Sequence, residues 1–149
     1  MRAVVQRVSS SKVTVSGEII GSINKGFNVL LGIENDDNLE DIKYIVDKVS
    51  NLRVFEDEND KLNLSLKDVN GEILLISQFT LYGDCRKGRR PNFMKAMGGD
   101  SAKELYLKCI ELFKETGLKV ECGEFGADMK VDIQNDGPVT LLLDSKKEF

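Results

Sequence analysis

The chain predicts an α/β fold: a mixed β-sheet, partly barrel-like, with two packed helices in a single domain over residues 1–149. Three observations carry this. Short, largely apolar runs near both ends of the chain stop at glycine or asparagine turns, as strands do. Two other segments repeat apolar residues every three or four positions, with charges opposite, as helices packed on a sheet do. The length, 149 residues, suits one core and leaves little for a second.

Residues 1–33 read as a β-meander. Val4, Val8, Val13 and Val15 are strand formers, Gly17 and Asn24-Lys25-Gly26 mark turns, and residues 27–33 form another largely apolar strand. A helix follows with Leu39, Ile42, Val46, Val49 and Leu52 on its buried face, Asp37 and Glu40 being spaced as a capping box. Residues 53–55 form a short strand before the acidic stretch 56–60. That stretch lacks the glycine and later glutamate of a calcium loop, and is expected to be a solvated turn. Asn70-Gly71 is a turn signal immediately ahead of Ile73-Leu-Leu-Ile-Ser-Gln-Phe-Thr-Leu-Tyr-Gly83, a buried strand. On a strand, Gln78 and Thr80 share one face, and Ser77, Phe79 and Leu81 take the other. Two hydrogen-bonding side chains at the end of a buried strand need a polar partner, either neighbouring backbone or a substrate. Ser101-Ala-Lys-Glu104 is a capping box for the second helix, whose buried face is Ala102, Leu105, Cys109, Leu112 and Phe113; Gly117 ends it. Residues 119–144 return to strands, with two β-like runs flanking Asn135-Asp-Gly-Pro138.

Composition narrows the chemistry. Histidine is absent, which excludes Ser-His-Asp and Cys-His catalysis and histidine metal ligation. Cys85, Cys109 and Cys122 are odd in number and form no CxxC, so neither a zinc site nor a disulfide framework is expected. No run approaches the roughly 18 apolar residues of a membrane span. Arg7 stands where a secretory leader is still apolar, so the protein is expected in the cytoplasm. The net charge is −4, yet Arg86, Lys87, Arg89 and Arg90 crowd one glycine-containing loop. Gly88 is followed by Arg-Arg and not Lys-Ser/Thr, so this is no Walker loop. It either grips phosphates or stays solvated.

Taken together, these stretches resemble the D-aminoacyl-tRNA deacylase family. The resemblance spans essentially the whole chain: Met-Arg-Ala-Val-Val-Gln-Arg-Val at the start, Ser-Gln-Phe-Thr-Leu at 77–81, the Arg-Lys-Gly-Arg-Arg-Pro loop, and Asn-Asp-Gly-Pro-Val-Thr at 135–140. It implies a homodimer joined through its sheet region, with each active site at the subunit interface. Gly137 and Pro138, through a cis peptide bond, are expected to reach into the partner's pocket as a chiral selector. There, main-chain carbonyls would block an L side chain, admit a D side chain and fail to reject glycine, so glycyl-tRNA also enters. Ser77, Gln78, Phe79 and Thr80 are expected beside the scissile ester, with the Phe79 N–H as oxyanion donor and Thr80 positioning the carbonyl or, with no base at hand, attacking it less readily. The favoured chemistry is hydrolysis assisted by the terminal ribose hydroxyl of the tRNA.

The resemblance further implies that Phe125 and Met129 line the substrate pocket with Arg7 and Val139, Arg7 supporting the Gly-Pro motif. Read without it, Phe125 and Met129 are equally ordinary core, and Arg7 is a surface charge at a strand edge. Arg86, Lys87, Arg89 and Arg90 would then hold tRNA. Neither a metal nor an organic cofactor is expected, nor a membrane or DNA partner. Cys85 departs from the family's more usual threonine. Two rivals stand beside the enzyme: a non-catalytic tRNA-binding module built on residues 86–90, and a structural dimer whose Gly-Pro is only a turn.

Overall fold

The computed structural model describes residues 1–149. In chain order the elements are β1 (Arg2–Val15), β2 (Glu18–Ile23), β3 (Gly26–Gly32), α1 (Leu39–Asn51), β4 (Phe55–Glu56), β5 (Leu62–Leu64), β6 (Glu72–Ser77), a 3-10 turn (Phe79–Tyr82), α2 (Gly99–Glu115), β7 (Lys119–Cys122) and β8 (Lys130–Asp144). The main sheet runs β2-β1-β3-β6-β7, with β8 also paired to β1. Pairing of β3 with β6 and of β6 with β7 is parallel, and the rest is antiparallel, so the sheet is mixed. It curls until β2 nears β7: a Cβ on Gly21 would stand 2.9 Å from the Cys122 carbonyl oxygen. The barrel is almost closed.

The helices cover one face. Ile42, Ile45 and Val49 of α1 meet Tyr106, Cys109 and Phe113 of α2 over Val5, Val29 and Leu75 of the sheet. Each such aliphatic side chain contributes about 1.5–3 kcal/mol by leaving water. Phe27 stacks on Phe55 with ring centroids 5.2 Å apart. Burial pushes the Cys109 thiol up to about 12, which leaves it an inert core group. The barrel interior holds a smaller cluster of Val8, Val13, Ile23, Leu74 and Ile76. No helix is long and apolar enough to cross a membrane.

Several local expectations give way. The first three strands are not a meander in order: β1 lies between β2 and β3, pairing with β3 over its first half and β2 over its second. The cap of α1 is Asn38, whose side chain accepts from Glu40 N–H while Asp41 accepts from Asn38 N–H. Helix α2 opens two residues before Ser101, from Gly98, with no side-chain cap. The strand entering 83 stops at Ser77, so Gln78 and Thr80 do not alternate on a strand. Residues 130–144 form one continuous strand and not two runs. Arg7 is buried, not a surface charge.

The acidic stretch 56–60 is a hydrogen-bonded turn: Asp57 accepts from the N–H groups of Asn59 and Lys61. A tighter carboxylate group, Glu34, Asp36 and Asp37, has the spacing of a metal site. The chain fills it with its own cations: the Lys146 ammonium bonds Glu34 and Asp36, and the Met1 ammonium lies 2.7 Å from Asp37.

Two measurements test this account. A Cβ on Gly26 would lie 1.9 Å from the Glu72 carbonyl oxygen, inside the parallel β3–β6 pairing. Backbone cannot swing aside as a side chain can, so Gly26→Ala should cost about 3 kcal/mol in urea unfolding. The second test is acid. The Lys61 and Asn59 amides hold the Asp57 carboxyl below its usual 3.8, and the Ser65 amide and hydroxyl do the same for Asp68. Both contributions are complete above the unfolded value and are lost as pH falls through the lower folded values. Thermal melts should therefore drop in Tm below about pH 4, and Asp57→Asn with Asp68→Asn should flatten that drop.

Candidate active site

Parallel pairing brings β6 to its end at Ser77. The Gln78 N–H makes the next bond to β3, donating to the Leu31 carbonyl at 2.7 Å, and the chain then winds into the 3-10 turn. Within that turn, Leu81 N–H donates to Gln78 O at 3.2 Å and Gly83 N–H to Thr80 O at 2.9 Å. The amides of Phe79 and Thr80 open the turn, where donors lack a partner inside it. The Gln78 side-chain amide donates to Thr80 Oγ at 2.5 Å. With that oxygen accepting, the Thr80 hydroxyl proton is left to donate outward.

Beside the turn lies a cavity of about 580 Å³. Ser77, Gln78 and Phe79 form one wall, and Phe125 and Met129 another. Two buried features set the second wall. Tyr106 donates to the Leu75 carbonyl at 2.9 Å, fixing a ring that packs against Phe125 with centroids 5.7 Å apart. Gly123 leaves the space that Met129 fills, since a Cβ there would meet the Met129 sulfur at 2.6 Å. None of the residues lining the cavity carries an ionisable side chain. Any chemistry there falls to amides, hydroxyls and the substrate itself.

Phe93, Ala96 and Met97 also line the cavity and escaped the sequence reading. They sit in irregular chain with no periodicity to flag them. The one available signal was an aromatic residue close behind a cationic loop.

The remaining expected residues lie elsewhere on the chain. Gln6 pairs with Thr140 and Val8 with Asn135, so Arg7 alone stands opposite Asp136, Gly137, Pro138 and Val139. These four residues must bulge from the ladder. Asn135 Nδ2 clasps the base of the bulge by donating to Thr140 Oγ at 3.0 Å. The Arg7 guanidinium donates to the Asp136 carbonyl at 3.2 Å and the Val54 carbonyl at 2.7 Å. Gly137 has φ +120°, and a Cβ on it would lie 2.9 Å from Arg7 Nη2. The Gly137–Pro138 peptide bond is cis, and both residues are exposed. None of these residues, nor Thr80, lines the cavity of its own chain.

The cationic loop projects from a two-residue bridge in which Asp84 and Asn92 exchange backbone hydrogen bonds of 2.8 and 3.0 Å. Arg86 folds back on Asp84 with Nη2 to Oδ2 at 2.6 Å and holds that carboxyl well below the usual range. Lys87, Arg89 and Arg90 are exposed. Below the loop, Cys85 borders a second cavity of about 550 Å³ with Arg2, Asp84, Arg86, Lys95 and Glu148. Its charges already pair across it, Arg2 with Glu148 at 2.8 Å among them.

Comparison with known proteins bears on this arrangement. A family model described as D-Tyr-tRNA(Tyr) deacylase matches residues 4–144. A D-aminoacyl-tRNA deacylase of Clostridium beijerinckii is 72% identical over 149 residues, covering 100% of both chains. A solved structure titled c-Myc DNA Unwinding Element Binding Protein superposes with a TM-score of 0.91 at 46% identity, covering 97% of this chain and 98% of that one. Another, titled as a probable eukaryotic D-amino acid tRNA deacylase, superposes with a TM-score of 0.81 at 17% identity, over 95% and 97% of the two chains, and speaks for the fold. A family match across nearly the whole chain, joined to a relative sharing almost three-quarters of its residues, settles the kinship: the chain belongs to the D-Tyr-tRNA(Tyr) deacylase family.

Proposed function

We infer that this protein hydrolyses the ester bond of D-aminoacyl-tRNA, releasing free amino acid and tRNA. The observation that carries the reading is the cavity without ionisable groups, walled by Ser77, Gln78 and Phe79 on one side and Phe125 and Met129 on the other. The terminal adenosine of tRNA suits the second wall, because an aromatic and a thioether side chain grip an unpaired base by its face. The ester then lies against the turn. The Phe79 amide donates to the oxyanion as the carbonyl becomes tetrahedral, and the outward Thr80 hydroxyl holds the carbonyl in register. Water loses its proton with help from the adjacent ribose hydroxyl, since no side chain in the cavity can take one. An aminoacyl ester is reactive enough for positioning and oxyanion stabilisation to suffice.

Chirality is read by a second copy of the chain. Gly137 and Pro138 stand out from β8, exposed and outside their own cavity, which supports their reaching a partner's. Strand β8 pairs only with β1, so its other edge is open over 15 residues, and association would cover it. Main-chain carbonyls at the tip of the bulge collide with an L side chain and leave room for a D one. Glycine has no side chain to reject, and glycyl-tRNA enters as well. Arg7 and Val139 crowd against Gly137 and hold the tip of the bulge in place. Lys87, Arg89 and Arg90, with Arg86 held at the loop base, meet the phosphates of tRNA and not those of duplex DNA. A protein acting on aminoacyl-tRNA belongs where translation runs, in the cytoplasm.

Incubation with D-tyrosyl-tRNA should release D-tyrosine while L-tyrosyl-tRNA survives; binding without release would leave only an RNA-binding module. In the same assay Thr80→Ala should lower kcat about 10- to 100-fold without abolishing turnover. Complete loss with intact substrate binding would instead make Thr80 the nucleophile. Arg89→Glu with Arg90→Glu should weaken tRNA binding about tenfold or more and flatten its salt dependence by about two units of slope. Unchanged affinity would mean that the loop is merely solvated.

A further inference from the structure

Phe93 falls in no periodic pattern of the sequence, yet the fold sets it at the rim of the cavity. Its ring meets Phe79 edge-on, with centroids 5.2 Å apart and planes at 71°. The backbone makes room for this contact at Gly83, where a Cβ would lie 2.9 Å from Phe93 Cε1. Even so, Phe79 stays 55% exposed and Phe93 37% exposed. Rings left so open contribute little to the core. Open aromatic faces beside an apolar cavity are the usual means of gripping single-stranded bases.

Position identifies which base. Phe93 lines the same cavity as Phe125 and Met129. It directly follows Asn92, one half of the bridge from which the cationic loop projects. A single strand whose terminal adenosine fills the cavity and whose phosphates lie on Arg89 and Arg90 must cross this rim. The nucleotide that crosses it is the one before the adenosine.

We propose that Phe93, packed edge-on against Phe79, forms a stacking subsite for the cytidine that precedes the terminal adenosine of tRNA. The proposal rests on the deacylase reading above and adds a second base to it. Stacking here anchors the strand without touching the ester, so it acts on substrate affinity and not on the chemical step. A ring of larger face serves equally well, because stacking has no hydrogen-bond requirement.

The test compares two D-tyrosyl esters, one on adenosine and one on the trinucleotide cytidyl-cytidyl-adenosine, with the full-length enzyme. The wild type should show a lower KM for the trinucleotide. Phe93→Ala should raise the trinucleotide KM about tenfold more than it raises the KM of the adenosine ester, with any change in kcat equal on the two esters and Phe93→Trp restoring the wild-type KM. Equal loss on both esters would make Phe93 a support for the Phe79 turn and overturn the subsite. So would no loss on either, or a wild type indifferent to the added nucleotides. A wild type idle on both esters would sink the hydrolytic reading itself, which sets that failure apart.

Discussion

The architecture turns on a mismatch between two long strands. β1 and β8 run antiparallel for nearly their full lengths, but one residue of β1 has to answer for four of β8. A ladder tolerates such an imbalance only where the surplus backbone finds other partners. Arg7 supplies them. Its guanidinium is buried and tied to the Asp136 and Val54 carbonyls. A buried guanidinium left unpaired is costly, so these bonds hold Arg7 as firmly as Arg7 holds the bulge. Val54 in turn leads into the small β4–β5 hairpin, whose turn is closed by Asp57. The exposed glycine and proline are therefore braced from the strand, the hairpin and the acidic turn at once.

The other half of the proposed site follows from a strand that ends. Parallel pairing with β3 carries β6 as far as Ser77, and beyond Gln78 no partner strand continues. The backbone winds into a single tight turn, and winding is what aims amides outward. A longer strand would have spent those amides on the ladder. The buried Tyr106 hydroxyl and the small Gly123 fix the opposite wall from behind, so both sides of the cavity rest on rigid elements.

Much of this was legible in the residues, and the limits have physical causes. Helical stripes and apolar runs announced nearly every element, because periodicity records which face is buried. Strand order was not legible: β1 pairs with β2, β3 and β8, and nothing local in Val4 or Val8 says so. Caps slipped by a residue or more because Asn38 competes with Asp37, and Gly98 caps by backbone conformation without a side-chain signal. Without the family resemblance Arg7 reads as a surface charge, because its partners are carbonyls 47 and 129 residues away. Motifs singled out Ser77 to Thr80 and Gly137-Pro138 as candidates but gave the first as strand where it is mostly turn. Phe93 had no periodicity to flag it, since its place at the cavity comes from where an irregular segment happens to return.

The cavity carries no charge to lose or gain. Most catalytic pockets offer an inhibitor an ionised group to grip, and most can be silenced by protonating or alkylating one side chain. At the proposed site a competitive ligand would have to succeed by shape and stacking, with neutral acceptors set against backbone amides. The same property restricts escape: substitutions can reshape the walls, but the backbone donors cannot be exchanged one residue at a time.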